Sequence, residues 1–305
     1  MTTQQPPANT SSSSKTDFQI NLSGRYKIDT IFTIATWSAV VFAIVILVVL
    51  LSSVLIEGMP RISWQFISNY ASRKPEEAGI LAALVGSMWV MCTVAAIAFP
   101  LGVGAGIYLE EFAKDSWLGK LIEININNLA GVPSIIYGLL GLQVFVRFMD
   151  PITGGRSVLS GSLTLSLLIL PIIIVSTRES LRAIPDSLRQ AGYALGATEW
   201  QVISRQILPI ALPGILTGMI LALSRAIGDT APLIVIGAAS FIAALPENLQ
   251  SPFTVMPIQI YNWVSRPQKE FHVDAAAGII VLMLALLIMN GTAVFLRNKF
   301  QSNRA

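Results

Sequence analysis

Two charged residues, Arg225 and Asp229, interrupt an otherwise apolar run that begins near Ile210. A charge inside a hydrocarbon layer is costly and marks a polar pathway more often than a structural accident. Residues four apart on a helix share a face, so the spacing predicts that Arg225 and Asp229 stand side by side. Two roles fit such a pair. In the first, the planar guanidinium of Arg225 receives an oxyanion through paired hydrogen bonds, and Asp229 neutralises the cation when the path is empty. In the second, the pair is a buried salt bridge that fixes helix packing. Counting from Ile210, Arg225 lies roughly 22 Å along the helix axis, in the outer half of a bilayer.

Other chemistry-bearing residues are scattered. Cys92 is the single cysteine and sits in an apolar stretch, so there is no disulfide framework or cysteine metal cluster to build. His272 falls near Asp274 and reads as a solvated side chain. Glu110, Glu111 and Asp115 follow the second apolar run; a solvated face is the simpler expectation, contact with a partner protein the other. Gly102, Gly104 and Gly106 alternate inside an apolar run, without the strand-turn-helix context of a nucleotide loop. No G-x-x-x-x-G-K-[ST] occurs along the chain. If transport consumes ATP, a separate polypeptide must bind it, and no cofactor is implied for this one.

The elements that hold these residues are membrane helices. The chain has 305 residues, 53% hydrophobic and 12% charged, where a soluble domain carries about a quarter charged. Neutral stretches are long enough to cross a bilayer core, which needs about 20 apolar residues, and backbone groups in lipid must find partners within the segment. We place six spans, at 31–56, 83–109, 124–146, 157–177, from Ile210, and 275–296. A seven-span alternative would split the fifth at Arg225–Asp229. Pro133 and Pro213 are expected to bend their helices; the glycines between spans read chiefly as close-packing positions. Residues 1–23, rich in Ser, Thr, Gln and Pro, read as a disordered tail, ahead of a transmembrane domain at 24–305. The first apolar run is longer than a signal sequence and lacks a cleavage site after it, so it is expected to remain as the first span.

Orientation follows from lysine and arginine. With the N-terminus in the cytoplasm, twelve of the 20 basic residues lie inside, seven lie outside, and Arg225 lies within a span. Both termini are then cytoplasmic, in a multi-pass membrane protein. The net charge of +3 comes with no dense basic run, so it fits lipid headgroups and not nucleic acid.

The inside loop at 178–209 holds the second functional pattern. Pro185, Asp186 and Ser187 signal a helix start, Gly196 a helix end, and Thr198 with Glu199 a second start. Leu188, Ala191 and Leu195 recur at i, i+3 and i+7, an apolar stripe that needs a partner surface. Gln190-Ala191-Gly192, three residues, Gly196, nine residues, and Gln206-Ile207-Leu208-Pro209 resemble the coupling motif of ABC importer permeases, Glu-Ala-Ala, three residues, Gly, nine residues, Ile-x-Leu-Pro. Gln190, Gly192 and Gln206 depart from it. Gly106-Ile-Tyr-Leu-Glu-Glu111, the run from Asn127 to Gly141, Thr177 to Pro185, Tyr193 to Thr198, Ser224 to Pro232 and Pro257 to Trp263 look like phosphate ABC transporter permease subunits, closer to the PstA type than to the PstC type.

That resemblance, over roughly residues 80 to 300, implies the type I ABC importer permease fold and a role as the pathway-forming subunit of an ATP-driven phosphate importer. It implies a homologous PstC-type permease, a pair of PstB-type ATP-binding subunits and an external PstS-type phosphate-binding protein as partners. Leu188, Gln190, Ala191, Gly192, Leu195 and Gly196 become the expected ATPase-coupling residues, and Arg225 and Asp229 the expected translocation residues, with aspartate where the family motif has an acid, usually glutamate. Competing functions are a permease for sulfate or molybdate, an ion-coupled carrier acting alone, and a non-transporting membrane scaffold.

Overall fold

The computed structural model describes residues 22–113, 116–238 and 241–302. Most of the expected tail, 1–21, and the expected site residue Asp115 lie outside the described residues. All regular structure among the described residues is helical. The chain divides into two compact units, Met1–Ser52 and Ser53–Ala305. The described part of the first is the body of α1 (Leu22–Gly58), a helix with no charged residue between Ile31 and Ile56.

The second unit contains α2 (Leu81–Phe112), α3 (Trp117–Ala130), α4 (Ser134–Phe148), α5 (Val158–Arg182), α6 (Asp186–Ala194), α7 (Glu199–Gly228), α8 (Ala231–Ile236), α9 (Met256–Val264) and α10 (Glu270–Ser302). Helix α5 is its centre. Ser157 opens it with a reciprocal cap: its hydroxyl accepts from the Ser160 N–H while the Ser160 hydroxyl accepts from the Ser157 N–H. Small residues Ser160, Gly161, Ser162, Thr164 and Ser166 then line its buried faces. Neighbouring helices answer with glycine. Gly106 of α2 lies where a β-carbon would stand 2.7 Å from Thr177, and Gly218 of α7 meets Ser176. Lipid gives helices no hydrophobic reason to associate, so such close van der Waals approach supplies the attraction. The packing role expected of the glycines holds at these positions, whereas Gly104 faces open space.

Among the described residues, five helices are long and apolar enough to cross a membrane, and six if α3 and α4 count as one broken span. The expected third span, 124–146, is therefore not one straight helix. It turns by 105° between α3 and α4, at Gly131-Val132-Pro133. Pro133 has extended backbone (ψ 137°) and precedes the first turn of α4, as a residue with no amide hydrogen should. Pro213, by contrast, lies inside a helix that runs without interruption from Leu208 to Gly228. The seven-span alternative fails on length, because α8 has only 6 residues. On the side opposite the loop at 178–209, Arg61 donates to Asp274 Oδ1 at 2.6 Å and to the carbonyls of Pro75, Glu76 and Ala78, tying the segment before α2 to the start of α10.

Candidate functional site

The loop at 178–209 is largely helical. Residues 178–182 complete α5, α6 follows Pro185, and the second expected short helix is the start of α7, which runs on into the fifth span. That span thus begins well before Ile210. Gly196 has φ +78°, a left-handed conformation that costs glycine little and a β-branched residue much. Thr198 caps α7: its hydroxyl accepts from the Gln201 N–H, and Gln201 Oε1 accepts from the Thr198 N–H. A π-turn at Ile203–Ile207 precedes Pro209, which has no N–H to continue an α ladder.

The predicted coupling residues separate by face. Leu188 is half-buried against a cluster of Leu181, Ile184, Val202 and Ile207. Gly192 is buried, and a β-carbon there would meet Val202 at 2.7 Å, so glycine in place of the motif's second alanine lets α6 close on α7. Gln190 and Ala191 are exposed, and Leu195 is 89% exposed. The expected single apolar stripe is therefore corrected: Leu188 anchors α6 from within, while Leu195, with Tyr193 and Trp200, faces outward. Leu195 lies at the end of α6, three residues beyond Gly192, where the helix packs on Val202.

Charges fix this loop, and sequence reasoning missed how. Glu110, expected to be solvated, is 3% exposed and sits with Glu111 on a π-turn at Tyr108–Phe112, the inner end of α2. Arg178 and Arg182 donate to the Glu110 carboxylate at 3.2 and 3.0 Å. Arg178 also reaches Glu123 on α3 at 3.0 Å. Arg189 of α6 grips Glu111 with both arms, Nη2 to Oε1 at 2.7 Å and Nε to Oε2 at 3.1 Å. Its remaining donors go to the carbonyls of Leu181 and Ile184 and to Asp186. The hydrogen bonds to Glu111 hold the Arg189 pKa above its ordinary value, against the opposing effect of burial. The only sequence signal was two adjacent acids at the end of one span and arginines at the end of another.

The translocation pair is arranged differently from the expectation. Helix α7 stops at Gly228, and Asp229 turns away with ψ 95°. Among the described residues no ion pair joins it to Arg225. Arg225 instead lies within electrostatic reach of Tyr137 on α4. The Tyr137 hydroxyl donates to the Leu129 carbonyl at 2.8 Å, bridging the α3–α4 bend. Pro232 of α8 packs against Gly138 of α4. Two interruptions of helical backbone, at 131–133 and at 229–230, thereby precede two elements that pack on each other, α4 and α8. Irregular backbone at membrane depth is tolerated where it is buried in protein or lines a polar cavity, and a guanidinium beside it gives that region an anion-attracting charge.

Residues 98–301 match the family described as binding-protein-dependent transport system inner membrane component. Similar proteins include the phosphate transport system permease protein PstA of Yersinia pestis, 32% identical over 84% of this chain and 85% of that protein. The PstA of Mycobacterium leprae is 33% identical over 86% of each, and the probable ABC transporter permease YqgI of Bacillus subtilis is 30% identical over 82% of this chain and 88% of its own. Among solved structures, a bacterial ABC transporter involved in alginate import aligns over 91% of this chain and 98% of its own, with TM-score 0.64 and 15% identity. The MetNI methionine ABC transporter aligns over 73% and 94%, with TM-score 0.54 and 18% identity. These likenesses support the type I ABC importer permease fold expected from the coupling motif. The chain is a multi-pass membrane protein, and it belongs to the family of inner membrane components of binding-protein-dependent transport systems.

Proposed function

We propose that this chain is the PstA-type permease subunit of an ATP-driven phosphate importer. It supplies half of the pathway and a docking surface, while ATP hydrolysis belongs to a partner. The observation that carries this reading is α6: a short helix held between two spans, closed by a left-handed glycine, with Leu195 exposed at its end. Phosphate as cargo is supported by the relatives named as phosphate permeases over more than four-fifths of the chain and by Arg225, whose planar fork suits a tetrahedral oxyanion.

In this reading a homologous PstC-type permease completes the pathway, a pair of PstB-type ATPases docks on the α6 side, and a PstS-type protein delivers phosphate from the other side. Arg225 draws the anion inward. Asp229, displaced from Arg225, limits how tightly the anion is held without occupying the cation. Leu188, Gln190, Ala191, Gly192, Leu195 and Gly196 form the coupling element, with Leu188 and Gly192 setting its position and the others facing the ATPase. Both termini lie in the cytoplasm.

Purification of the tagged chain from its native membrane, with mass spectrometry of what accompanies it, tests the assembly. An ATP-binding subunit and a second permease are expected; a chain that purifies alone is a lone carrier or scaffold instead. Uptake of labelled phosphate with sulfate and molybdate as competitors tests the cargo. Competition by sulfate as strong as by unlabelled phosphate would move the assignment to a broader oxyanion permease.

A further inference from the structure

We propose that Glu111–Arg189 and Glu110–Arg178–Glu123 form one mechanical linkage that carries displacement of α6 through α2 and α5 to α3, and so to the bend at 131–133. The proposal rests on the reading of α6 as the helix that faces the ATPase, and adds how its movement reaches the pathway.

Two of the three ion pairs in the linkage lie in little water. Arg189 and Glu111 keep 14% and 7% of their side-chain surface exposed, and Arg178 and Glu110 keep 11% and 2%. In such surroundings a charge cannot leave its partner without standing unpaired and poorly hydrated, which is the costly state. Adjacent residues of α2 feed separate arms: Glu111 holds α6, while Glu110 holds the end of α5 through Arg178 and Arg182. The π-turn at Tyr108–Phe112 is what brings both acids inward, and inserted residues of this kind are frequent at functional positions. A bidentate fork resists rotation as well as separation, so α6 cannot tilt against α2 while Arg189 grips both Glu111 oxygens.

From α5 the chain of charges continues. Arg178 Nη1 meets Glu123 Oε1 on α3 at 3.0 Å. Helix α3 is thus held near its middle by Arg178 and at its far end by the Tyr137 hydroxyl on Leu129. Tyr137 is the residue within electrostatic reach of Arg225. A rigid α3 pulled at Glu123 changes the bend, and α4 beyond the bend packs through Gly138 on Pro232, three residues after Asp229. Spatial continuity alone does not establish coupling, so the decisive quantity is phosphate moved per ATP hydrolysed.

The experiment uses the complete complex in vesicles, with four variants: Glu123→Gln, Glu123→Asp, Arg189→Gln and Arg189→Lys. Recovery of the ATPase with the permease, ATP hydrolysis and phosphate uptake are measured for each. Glu123 keeps 38% of its side chain exposed, so its neutral variant is expected to fold and assemble. Glu123→Gln and Arg189→Gln are expected to retain the ATPase and hydrolyse ATP while the transport ratio drops about tenfold, within the range of ordinary allosteric coupling. Glu123→Asp and Arg189→Lys, which keep the charges, are expected to recover part of the ratio; a merely structural role would lower abundance and leave the ratio alone. An unchanged ratio in Glu123→Gln overturns the linkage, whatever Arg189→Gln does to folding. Failure of the native complex to carry an ATPase would instead remove the docking reading, and the linkage with it.

Discussion

At the scale of single residues, Arg225 carries the most specific expectation. Spacing suggested an Arg225–Asp229 pair on one helix face, but the helix ends between them. The reason is local: Pro232 stands in the first turn of α8, where proline is well suited to begin a helix, and the chain must leave α7 to reach it. An unpaired arginine is available to an anion, so charge and geometry should both matter. Arg225→Lys is expected to keep part of the phosphate uptake and Arg225→Gln to abolish it at normal membrane abundance. The double variant Arg225→Gln with Asp229→Asn distinguishes the roles. A structural salt bridge predicts that removing both charges restores function, because only a lone buried charge is costly. The separated geometry predicts that the double variant transports no better than Arg225→Gln. Wild-type uptake in the double variant would exclude Arg225 from the pathway.

At the scale of the element, the α6–α7 corner depends on two glycines for different reasons. At Gly196 no neighbouring atom lies within 4 Å of a hypothetical β-carbon, yet φ is +78°; the constraint is purely one of backbone. Gly196→Ala is expected to strain the turn by about 1–2 kcal/mol, and Gly196→Ile by more. At Gly192 the backbone is ordinary helix, but Val202 leaves no room, so Gly192→Val should force α6 away from α7 at a cost of about 1–3 kcal/mol. Both variants should still insert, since the spans themselves are unchanged. Both should recover less ATPase per permease on purification, with Gly192→Ala, the residue of the usual motif, intermediate. Full recovery in Gly196→Ile would show that the corner is only a connector. Of the coupling stripe read from periodicity, Leu188 packs inward while Ala191 and Leu195 are exposed, and Gly196 closes the helix where the sequence placed its end.

At the scale of the whole molecule, the bend between α3 and α4 decides the number of crossings. If the pair crosses as one broken span there are six passes and the two termini share a side; if it enters and leaves by the same face there are five and they do not. The excess of inside lysine and arginine favours six. Reporter fusions at the C-terminus, one active only in the cytoplasm and one only outside it, are expected to give the cytoplasmic signal. An external signal with an internal N-terminus would make α3–α4 a re-entrant hairpin.

The sequence by itself determined the membrane class, most of the long helices and the family, because these follow from hydrophobic length, helix-start and helix-stop residues and a motif of fixed spacing. It also located the weak point at Pro133, which falls just after Gly131, whereas Pro213 inside α7 leaves its helix unbroken, so residue type alone does not decide where a span breaks. Only the tertiary structure decided which charges meet. Glu110 and Glu111 lie at least 68 positions before the arginines they bind, and a pair across such a separation depends on how α2, α5 and α6 pack, which periodicity does not encode. The same holds for Tyr137, whose hydroxyl finds Leu129 only because the chain bends by 105° between them. Local chemistry sets where a helix begins and ends; the three-dimensional packing of those helices sets which polar groups find partners in a place without water.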